Sequence, residues 1–200
     1  MHAYASDSRD RFLVPGILAL AAVGLAYGIH AGFAHFKIVL PWFIEAPAVM
    51  GVYGVLHLLY NRWFWKVRFR RRNVSPIPDL NGSWKGRLVS SYKDEYQRNV
   101  EKDCCLSIRQ TWLDIMVVLE TDSSRSWSTM AAVYSRDSAH FGLKYDYTNE
   151  PFALADDDLE EHRGTAQLRY TSDSDVLTGD YYTGRGRLTV GTFEFKRVGR

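Results

Sequence analysis

A few cationic and aromatic residues in the second half of the chain have the chemistry to bind a ligand that carries both phosphate and a flat ring. Arg187 lies on the same face of a predicted strand as Phe193 and Phe195, so it points inward if the phenyl rings do. A guanidinium binds phosphate through paired hydrogen bonds and also stacks on aromatic rings. Arg187 could therefore contact a ligand, or it could close the domain by stacking on Trp84.

Catalytic chemistry has little support in the sequence. The G-x-S-x-G, H-E-x-x-H and Walker-type glycine patterns do not occur. The acidic run Asp156–Glu161, with His162, consists of consecutive residues that would point in different directions, which is typical of a solvated loop. Cys104 and Cys105 are adjacent, which suits neither a disulfide framework nor a zinc site. We therefore predict a protein that is not an enzyme and holds no metal or cofactor.

From Asn81 onward the apolar residues alternate with polar ones, and turn residues are frequent, so this part of the chain is predicted to be all β. Sequential antiparallel strands leave no exposed edges when they close into a barrel. We predict an eight-stranded antiparallel up-and-down barrel of lipocalin-like form. Its strands are Gly82–Ser91, Asp103–Thr111, Asp114–Thr121, Trp127–Ser135, Ala139–Tyr147, Gly164–Thr171, Val176–Thr183 and Gly186–Val198.

The same alternation predicts which side chains fill this barrel. It gives an apolar base with aromatic layers above, and a barrel of eight strands has room for side chains or for one small ligand. The predicted inward residues are Ile115, Val117, Leu119, Phe141, Leu143, Tyr145, Tyr147, Ala166, Leu168 and Tyr170.

Two long apolar segments precede the β domain. Phe12–Phe36 has no Asp, Glu, Lys or Arg, and Ile38–Tyr60 has Glu45 as its one carboxylate; about 20 apolar residues suffice to cross a bilayer. We predict a membrane hairpin that turns near Lys37. Basic residues flank both outer ends, which predicts that both termini are cytoplasmic. They are Arg9, Arg11, Arg62, Lys66, Arg68, Arg70, Arg71 and Arg72.

Two features of the hairpin point to assembly of helices in the membrane. Gly24, Gly28 and Gly32 recur every four residues and form a small-residue face that favours close packing, within one hairpin or between hairpins. Glu45 either pairs with His30 or lines a polar path between assembled hairpins, or it is protonated near the outer interface.

Charge separates the two halves of the chain. Residues 1–80 carry nine Lys or Arg and four Asp or Glu, which leaves 25−9=16 basic and 23−4=19 acidic residues for 81–200. The β domain thus carries a net negative charge, which does not favour binding of polymeric nucleic acid. The predicted domains are a loosely ordered lead (1–11), the hairpin with its basic end (12–72), a Pro-containing linker (73–80) and the β-barrel (81–200).

The opening Leu80-Asn81-Gly82-Ser83-Trp84-Lys85-Gly86 resembles the G-x-W start of lipocalin-like barrels. Together with two amino-terminal spans and the closing strands Leu177–Thr183 and Arg187–Phe195, it resembles the CD-NTase-associated two-transmembrane β-barrel effectors of bacterial antiphage signalling (CBASS). The resemblance implies a receptor for a cyclic dinucleotide made by a partner nucleotidyltransferase. It also implies that ligand binding drives the hairpins to form homo-oligomers, disrupt the bacterial inner membrane and kill the infected cell.

For a cyclic dinucleotide, we predict that arginines meet the phosphates and aromatic rings stack on the bases. Strand parity puts some of the candidates outside the barrel, so not all of them can bind. The predicted ligand-binding residues are Trp84, Arg109, Trp127, Tyr145, Arg169, Tyr181, Thr183 and Arg187. The alternative function is a membrane-anchored lipocalin-like carrier or sensor of a small apolar ligand, whose interior would lack arginine.

Overall fold

The computed structural model describes residues 1–37, 42–69, 72–137, 139–153, 160–184 and 188–199, with no side-chain description at 42–48, 68–69 and 72–73. The chain divides into two compact units. One unit is formed by Ser8–Pro76, and the other by Met1–Asp7 together with Ile77–Arg200.

Two helices that contact each other form most of the first unit. Helix α1 (Asp10–His35) is long and apolar enough to cross a membrane, and among the described residues it is the one helix that meets this criterion. Helix α2 (Trp42–Arg62) occupies the second predicted span. Of the two predicted spans, the described residues therefore bear out the first.

The face of α1 that packs inside the unit is not the glycine face. Ala22 is fully buried, and Leu18 and Ala26, one turn on either side, are half-buried. The glycines are offset from this row by two residues, which is about 200° around a helix. A Cβ atom added at Gly24, Gly28 or Gly32 would meet no atom within 4 Å. Among the described residues, these glycines therefore make no close contact with the rest of the hairpin, and their packing within or between hairpins stays a prediction.

Glu45 lies in α2, but its side chain is outside the described ones, and so is its predicted pairing with His30.

A short folded segment follows α2 where the sequence analysis predicts a basic end and a linker. It consists of a 3-10 turn (Phe64–Lys66) and a two-stranded sheet of β2 (Arg68–Phe69) and β3 (Arg72–Asn73). Trp65 is buried in this segment, with the Lys66 ammonium 5.4 Å from the centre of its ring.

In the part of the chain that the structure describes, the second unit is a sheet of nine strands whose order closes on itself. Eight long strands follow one another along the chain and pair antiparallel with their sequence neighbours, and the last pairs with the first. They are β4 (Gly82–Lys93), β5 (Asn99–Gln110), β6 (Asp114–Glu120), β7 (Ser124–Ser135), β8 (His140–Pro151), β9 (His162–Thr171), β10 (Val176–Thr183) and β11 (Val190–Gly199). Each predicted strand has its counterpart, but the predicted total of eight is wrong.

The ninth strand is β1 (His2–Ser6), at the start of the chain. It pairs antiparallel with β6 and parallel with β7, and it buries Tyr4. The prediction of a loosely ordered lead is therefore wrong for these residues. Backbone pairing on both sides and one buried ring hold a segment whose sequence has no strong pattern.

The interior of the closed sheet follows the predicted alternation. Ile115, Val117, Leu143, Leu168 and Phe195 are buried. Of the other predicted inward residues, Tyr145, Tyr147, Ala166 and Tyr170 are buried, while Leu119 and Phe141 are half-buried. The apolar part of the core lies toward the ends of the strands that carry Trp84 and Ile115, and polar residues take over toward the opposite ends.

Candidate functional site

One end of the closed sheet is sealed around Trp84. The indole ring is fully buried, and its Nε1 donates a hydrogen bond to the Leu80 carbonyl at 3.2 Å. The Arg197 guanidinium lies 4.1 Å from the centre of the ring, and its Nε donates to the Asp175 carboxylate at 2.9 Å. Arg197 also donates to the Asn81 and Asp79 carbonyls. This is the cap that the sequence analysis considered for Arg187, but a different arginine makes it.

The other end of the closed sheet holds a cavity of about 510 Å³. This volume falls within the range of known small-molecule sites. The lining includes residues of all eight long strands, so the cavity belongs to the interior and not to one face of the sheet. They are Leu88, Ser90, Tyr92, Val100, Lys102, Leu119, Thr121, Ser123, Ser124, Ser126, Tyr145, Tyr147, Asn149, His162, Tyr181, Thr183, Thr189 and Phe193.

Aromatic rings form the inner part of the cavity. Tyr181 and Phe193 lie with their ring centres 4.8 Å apart, and Tyr145 and Tyr147 are 6.2 Å apart. Burial raises the pKa of the Tyr145 phenol, so this ring stays neutral at physiological pH. Neutral, fixed aromatic rings are suitable surfaces for stacking a planar ligand.

Hydroxyl groups line the part of the cavity nearer the strand ends. Ser126 on β7 is almost fully buried, and so is Thr183 on β10. The Thr183 hydroxyl accepts a hydrogen bond from the Thr189 backbone N–H at 2.9 Å, which joins the end of β10 to the residue before β11. Thr183, a predicted ligand-binding residue, lines the cavity, but its hydroxyl also makes this hydrogen bond within the fold.

Among the described residues, two basic side chains line the cavity, those of Lys102 and His162. The Lys102 ammonium donates to the Asp122 carboxylate at 2.8 Å and to the Ser123 hydroxyl at 2.7 Å. These contacts lower the pKa of Asp122, chiefly through the hydrogen bond from Lys102. His162 Nδ1 donates to the Glu160 carbonyl at 2.9 Å. A cation and an imidazole at the rim of a hydroxyl-rich cavity are suited to an anionic ligand.

Asn149 is the most distinctive polar residue of the cavity. It is 8% exposed, it lies on the same face of β8 as Tyr145 and Tyr147, and its Nδ2 is buried without a hydrogen-bond partner among the described residues. Leaving such a donor unpaired costs about 1–3 kcal/mol. An acceptor on a bound ligand would remove this cost.

The predicted ligand-binding residues fall into three groups. Tyr145, Tyr181 and Thr183 line the cavity together. Arg187 lies outside the described residues. The remaining four do not line the cavity: Trp84 forms the sealed end, and Arg109, Trp127 and Arg169 belong to the outward parity of their strands. Arg169 lies 3.9 Å from the Asp180 carboxylate on that outer surface.

Three residues of the cavity, Asn149, Ser126 and Lys102, are not among the predicted ligand-binding residues. Extending the parity of Tyr145 and Tyr147 by one step predicts that Asn149 points inward, but the predicted strand ended at Tyr147, before an Asn-Glu-Pro sequence that is typical of a turn. The described residues contain no cluster of three or more potential metal ligands, and most of the acidic run Asp156–Glu161 lies outside them.

Comparison with known proteins covers both units. A family model described as the Cap15 cyclic dinucleotide receptor domain matches residues 75–197, and one described as the Cap15 TM helices matches residues 13–66. CD-NTase-associated protein 15 of Yersinia aleksiciae is 28% identical over 148 residues, which cover 74% of this chain and 68% of that protein. A receptor-type β domain joined to an apolar helix of spanning length fits a membrane-bound CBASS effector and not an enzyme family. The chain belongs to the Cap15 family.

Proposed function

We propose that this protein is an antiviral effector whose closed sheet binds a cyclic dinucleotide made by a partner nucleotidyltransferase. Ligand binding makes the transmembrane hairpins assemble, and the assembled hairpins disrupt the inner membrane and kill the infected cell. The two family matches and the resemblance of the whole chain to CBASS effectors support this proposal.

One observation carries the proposal: the cavity combines buried aromatic rings with hydroxyl, amide and basic groups. Tyr145 and Tyr181 offer stacking surfaces for bases. Lys102 and the hydroxyl groups around it offer hydrogen bonds to phosphate oxygens. A cyclic dinucleotide presents both kinds of group in one compact molecule.

The alternative, a carrier of a small apolar ligand, agrees less well with this lining. An apolar ligand would leave the buried amide of Asn149 and the buried hydroxyl of Ser126 facing hydrocarbon. Burying polar groups against an apolar ligand without hydrogen bonds is unfavourable.

Titration calorimetry on the full chain in detergent micelles distinguishes the two functions. We expect saturable binding of at least one of cyclic di-AMP, cyclic di-GMP and cyclic GMP–AMP, and no saturable binding of a long-chain fatty acid. Binding of the fatty acid alone would exclude the receptor function.

The membrane topology completes the proposal. Both termini lie in the cytoplasm, because basic residues flank the outer ends of both apolar segments. A cysteine introduced at Ala3 should be protected from an impermeant thiol reagent in intact cells, and one introduced at Lys37 should react. Labelling at Ala3 would reverse the orientation.

Assembly of the hairpins uses the exposed glycine face of α1. A side chain at Gly28 would enter open space in the monomer, so Gly28→Leu should leave the monomer intact while keeping a second helix at a distance. We expect this variant to bind ligand normally and to release far less dye from vesicles than the wild type. Ala19→Leu is the control, because Ala19 is also exposed but lies nine residues before Gly28, about half a turn around the helix from the glycine face. Full leakage by Gly28→Leu would exclude this face.

A further inference from the structure

The buried amide of Asn149, whose Nδ2 has no hydrogen-bond partner among the described residues, indicates which group of the ligand it binds. Its partners across the sheet are Ser126 of β7 and His162 of β9, both of which also line the cavity. The Asn149 side chain therefore sits among other lining groups, with a buried donor that no described residue satisfies.

We propose that Asn149 selects adenine in the ligand, an inference that rests on the proposed function. A carboxamide presents a donor beside an acceptor, and adenine presents the complementary acceptor and donor at N7 and N6. Guanine presents two acceptors at the corresponding positions, so one of them would face the carbonyl oxygen of the amide. Phosphate lacks donors and would satisfy half of the amide at most. The ligand therefore carries at least one adenine, read by Asn149.

Binding of cyclic di-AMP, cyclic GMP–AMP and cyclic di-GMP to the full chain in micelles tests this assignment. We expect cyclic di-AMP or cyclic GMP–AMP to bind at least about tenfold more tightly than cyclic di-GMP, since one bidentate base contact discriminates by roughly that factor or more. Asn149→Ala and the near-isosteric Asn149→Asp should remove most of this preference. Asn99→Asp, at an exposed position on β5, is the control and should keep it.

The outcomes separate this inference from the proposed function. If no cyclic dinucleotide binds the wild type, the receptor function itself fails. If one binds but cyclic di-GMP is preferred, or if Asn149→Ala weakens all three ligands equally, the receptor function stands and the adenine assignment is wrong.

A second, independent feature is the seam that β1 occupies. Strands β6 and β7 pair directly at Val118–Glu120 with Arg125–Trp127, and β1 enters between the two strands beyond this point. At the point of separation, the Ser128 hydroxyl accepts a hydrogen bond from the Val117 N–H at 3.0 Å and lies 2.7 Å from His2 Nε2.

The same seam borders the cavity at one end, and the strand that occupies it is followed in the sequence by α1. Leu119 and Ser126, which form one of the direct β6–β7 pairs, line the cavity. Strand β1 ends at Ser6, and α1 begins four residues later at Asp10. A change in the spacing of β6 and β7 would therefore displace β1, and β1 is almost continuous in sequence with α1.

Tyr4 connects β1 to the segment through which the chain enters the sheet again after the hairpin. Its hydroxyl accepts a hydrogen bond from Gln110 Nε2 at 3.2 Å, and Gln110 Oε1 accepts one from the Leu80 N–H at 2.9 Å. The chain leaves the sheet after β1 and returns to it shortly before β4. Both connections therefore lie within a few residues of this hydrogen-bonded cluster.

We infer that β1 transmits ligand occupancy from the cavity to the hairpin. A ligand shifts a conformational equilibrium by its differential affinity for the two states, so the element that couples the states has to be free to move. Fixing β1 to β7 should leave ligand binding intact and prevent activation.

A disulfide between Ala5→Cys and Ala132→Cys provides the test, because these residues are register partners. The control is Gln167→Cys with Asp180→Cys, register partners on β9 and β10. Both are made with Cys105→Ser, since Cys105 is exposed, whereas burial raises the pKa of the Cys104 thiol to about 12 and leaves it unreactive.

Each full-length variant is placed in dye-filled vesicles and treated with the tightest-binding cyclic dinucleotide. We expect the oxidised β1–β7 variant to bind within about twofold of wild type but to leak at least about tenfold less, and reduction to restore leakage. The oxidised control should leak like wild type. Equal leakage from both oxidised variants would overturn the role of β1; loss of leakage in both would overturn it too, because general rigidity would then suffice.

Discussion

The two ends of the closed sheet differ in what fills them. At one end, Trp84 and Phe195 are fully buried and Arg197 covers the indole ring, so packed side chains close this end. At the other end, Ser126, Asn149 and Tyr181 surround open volume. The same strands contribute to both ends.

This difference indicates which end of the sheet stabilises the fold and which end is available to bind a ligand. Large apolar side chains at the sealed end stabilise the fold by close packing. Polar groups at the cavity end contribute less to packing and are available to a ligand. Substitutions at the two ends should therefore change different quantities: the free energy of unfolding at one, the dissociation constant at the other.

The largest expected effect is that of Trp84→Ala. Removing a fully buried indole should lower the free energy of unfolding by about 3–5 kcal/mol, measured by urea denaturation of the full chain in micelles. The matched control is Trp63→Ala, since that ring is exposed. A loss below about 0.5 kcal/mol for Trp84→Ala would contradict the role of the sealed end.

Arg197→Ala should have the next largest effect. Its side chain is 5% exposed and makes an ion pair with Asp175, so its loss leaves a carboxylate and two carbonyls without their donor. We expect about 2–3 kcal/mol of destabilisation in the same denaturation experiment. Arg169→Ala, which removes an exposed arginine, should change the stability by less than about 0.5 kcal/mol. Equal effects would mean that Arg197 does not seal the sheet.

The stability of the sheet should fall at alkaline pH. Burial raises the pKa of the Cys104 thiol to about 12, and burial and the hydrogen bond to Asp175 raise the pKa of Tyr170. Above the thiol's ordinary pKa near 9 the unfolded chain releases this proton while the folded one keeps it, so stability decreases as pH rises, by on the order of 1 kcal/mol per pH unit per group.

Unfolding followed from pH 8 to 11 checks this dependence. Cys104→Ala should lower the slope between pH 9 and 11, and Cys105→Ser, at an exposed position, should not. An unchanged slope in Cys104→Ala would show that other groups control alkaline unfolding.

The smallest expected effect on stability is that of Ser126→Ala at the cavity end. The residue lines open volume, so we expect a change below about 0.5 kcal/mol in unfolding but weaker binding of a cyclic dinucleotide in calorimetry. A large loss of stability without a change in affinity would mean that the two ends do not differ in role.

Sequence alone predicted the strands well because each half-buried strand has a strict period of two. The same rule identified Tyr145 and Tyr147 as inward residues, and both are buried. It did not distinguish Arg187 from Arg197 as the partner of Trp84, since both occupy the same parity and the contact depends on the register between β11 and β4.

Two other features were beyond sequence patterns for physical reasons. Strand β1 has five residues and one buried ring, which is too short for alternation to be recognised, and its position depends on pairing with strands more than a hundred residues away. Asn149 lies two residues before Pro151 in a sequence typical of a turn, and it stays in a strand through pairing with β7 and β9.

The most direct test of the central claim, that the ligand binds inside the closed sheet, compares Ser126→Trp with Arg109→Ala. The first fills the cavity from β7, and the second removes an outward cation on β5 that the sequence analysis had proposed as a ligand contact. Both full-length proteins, verified as folded by near-ultraviolet circular dichroism, are titrated with the cyclic dinucleotide that binds the wild type. We predict that Ser126→Trp abolishes saturable binding and that Arg109→Ala keeps it within about twofold; normal binding by Ser126→Trp, or its loss in Arg109→Ala, would contradict an interior site.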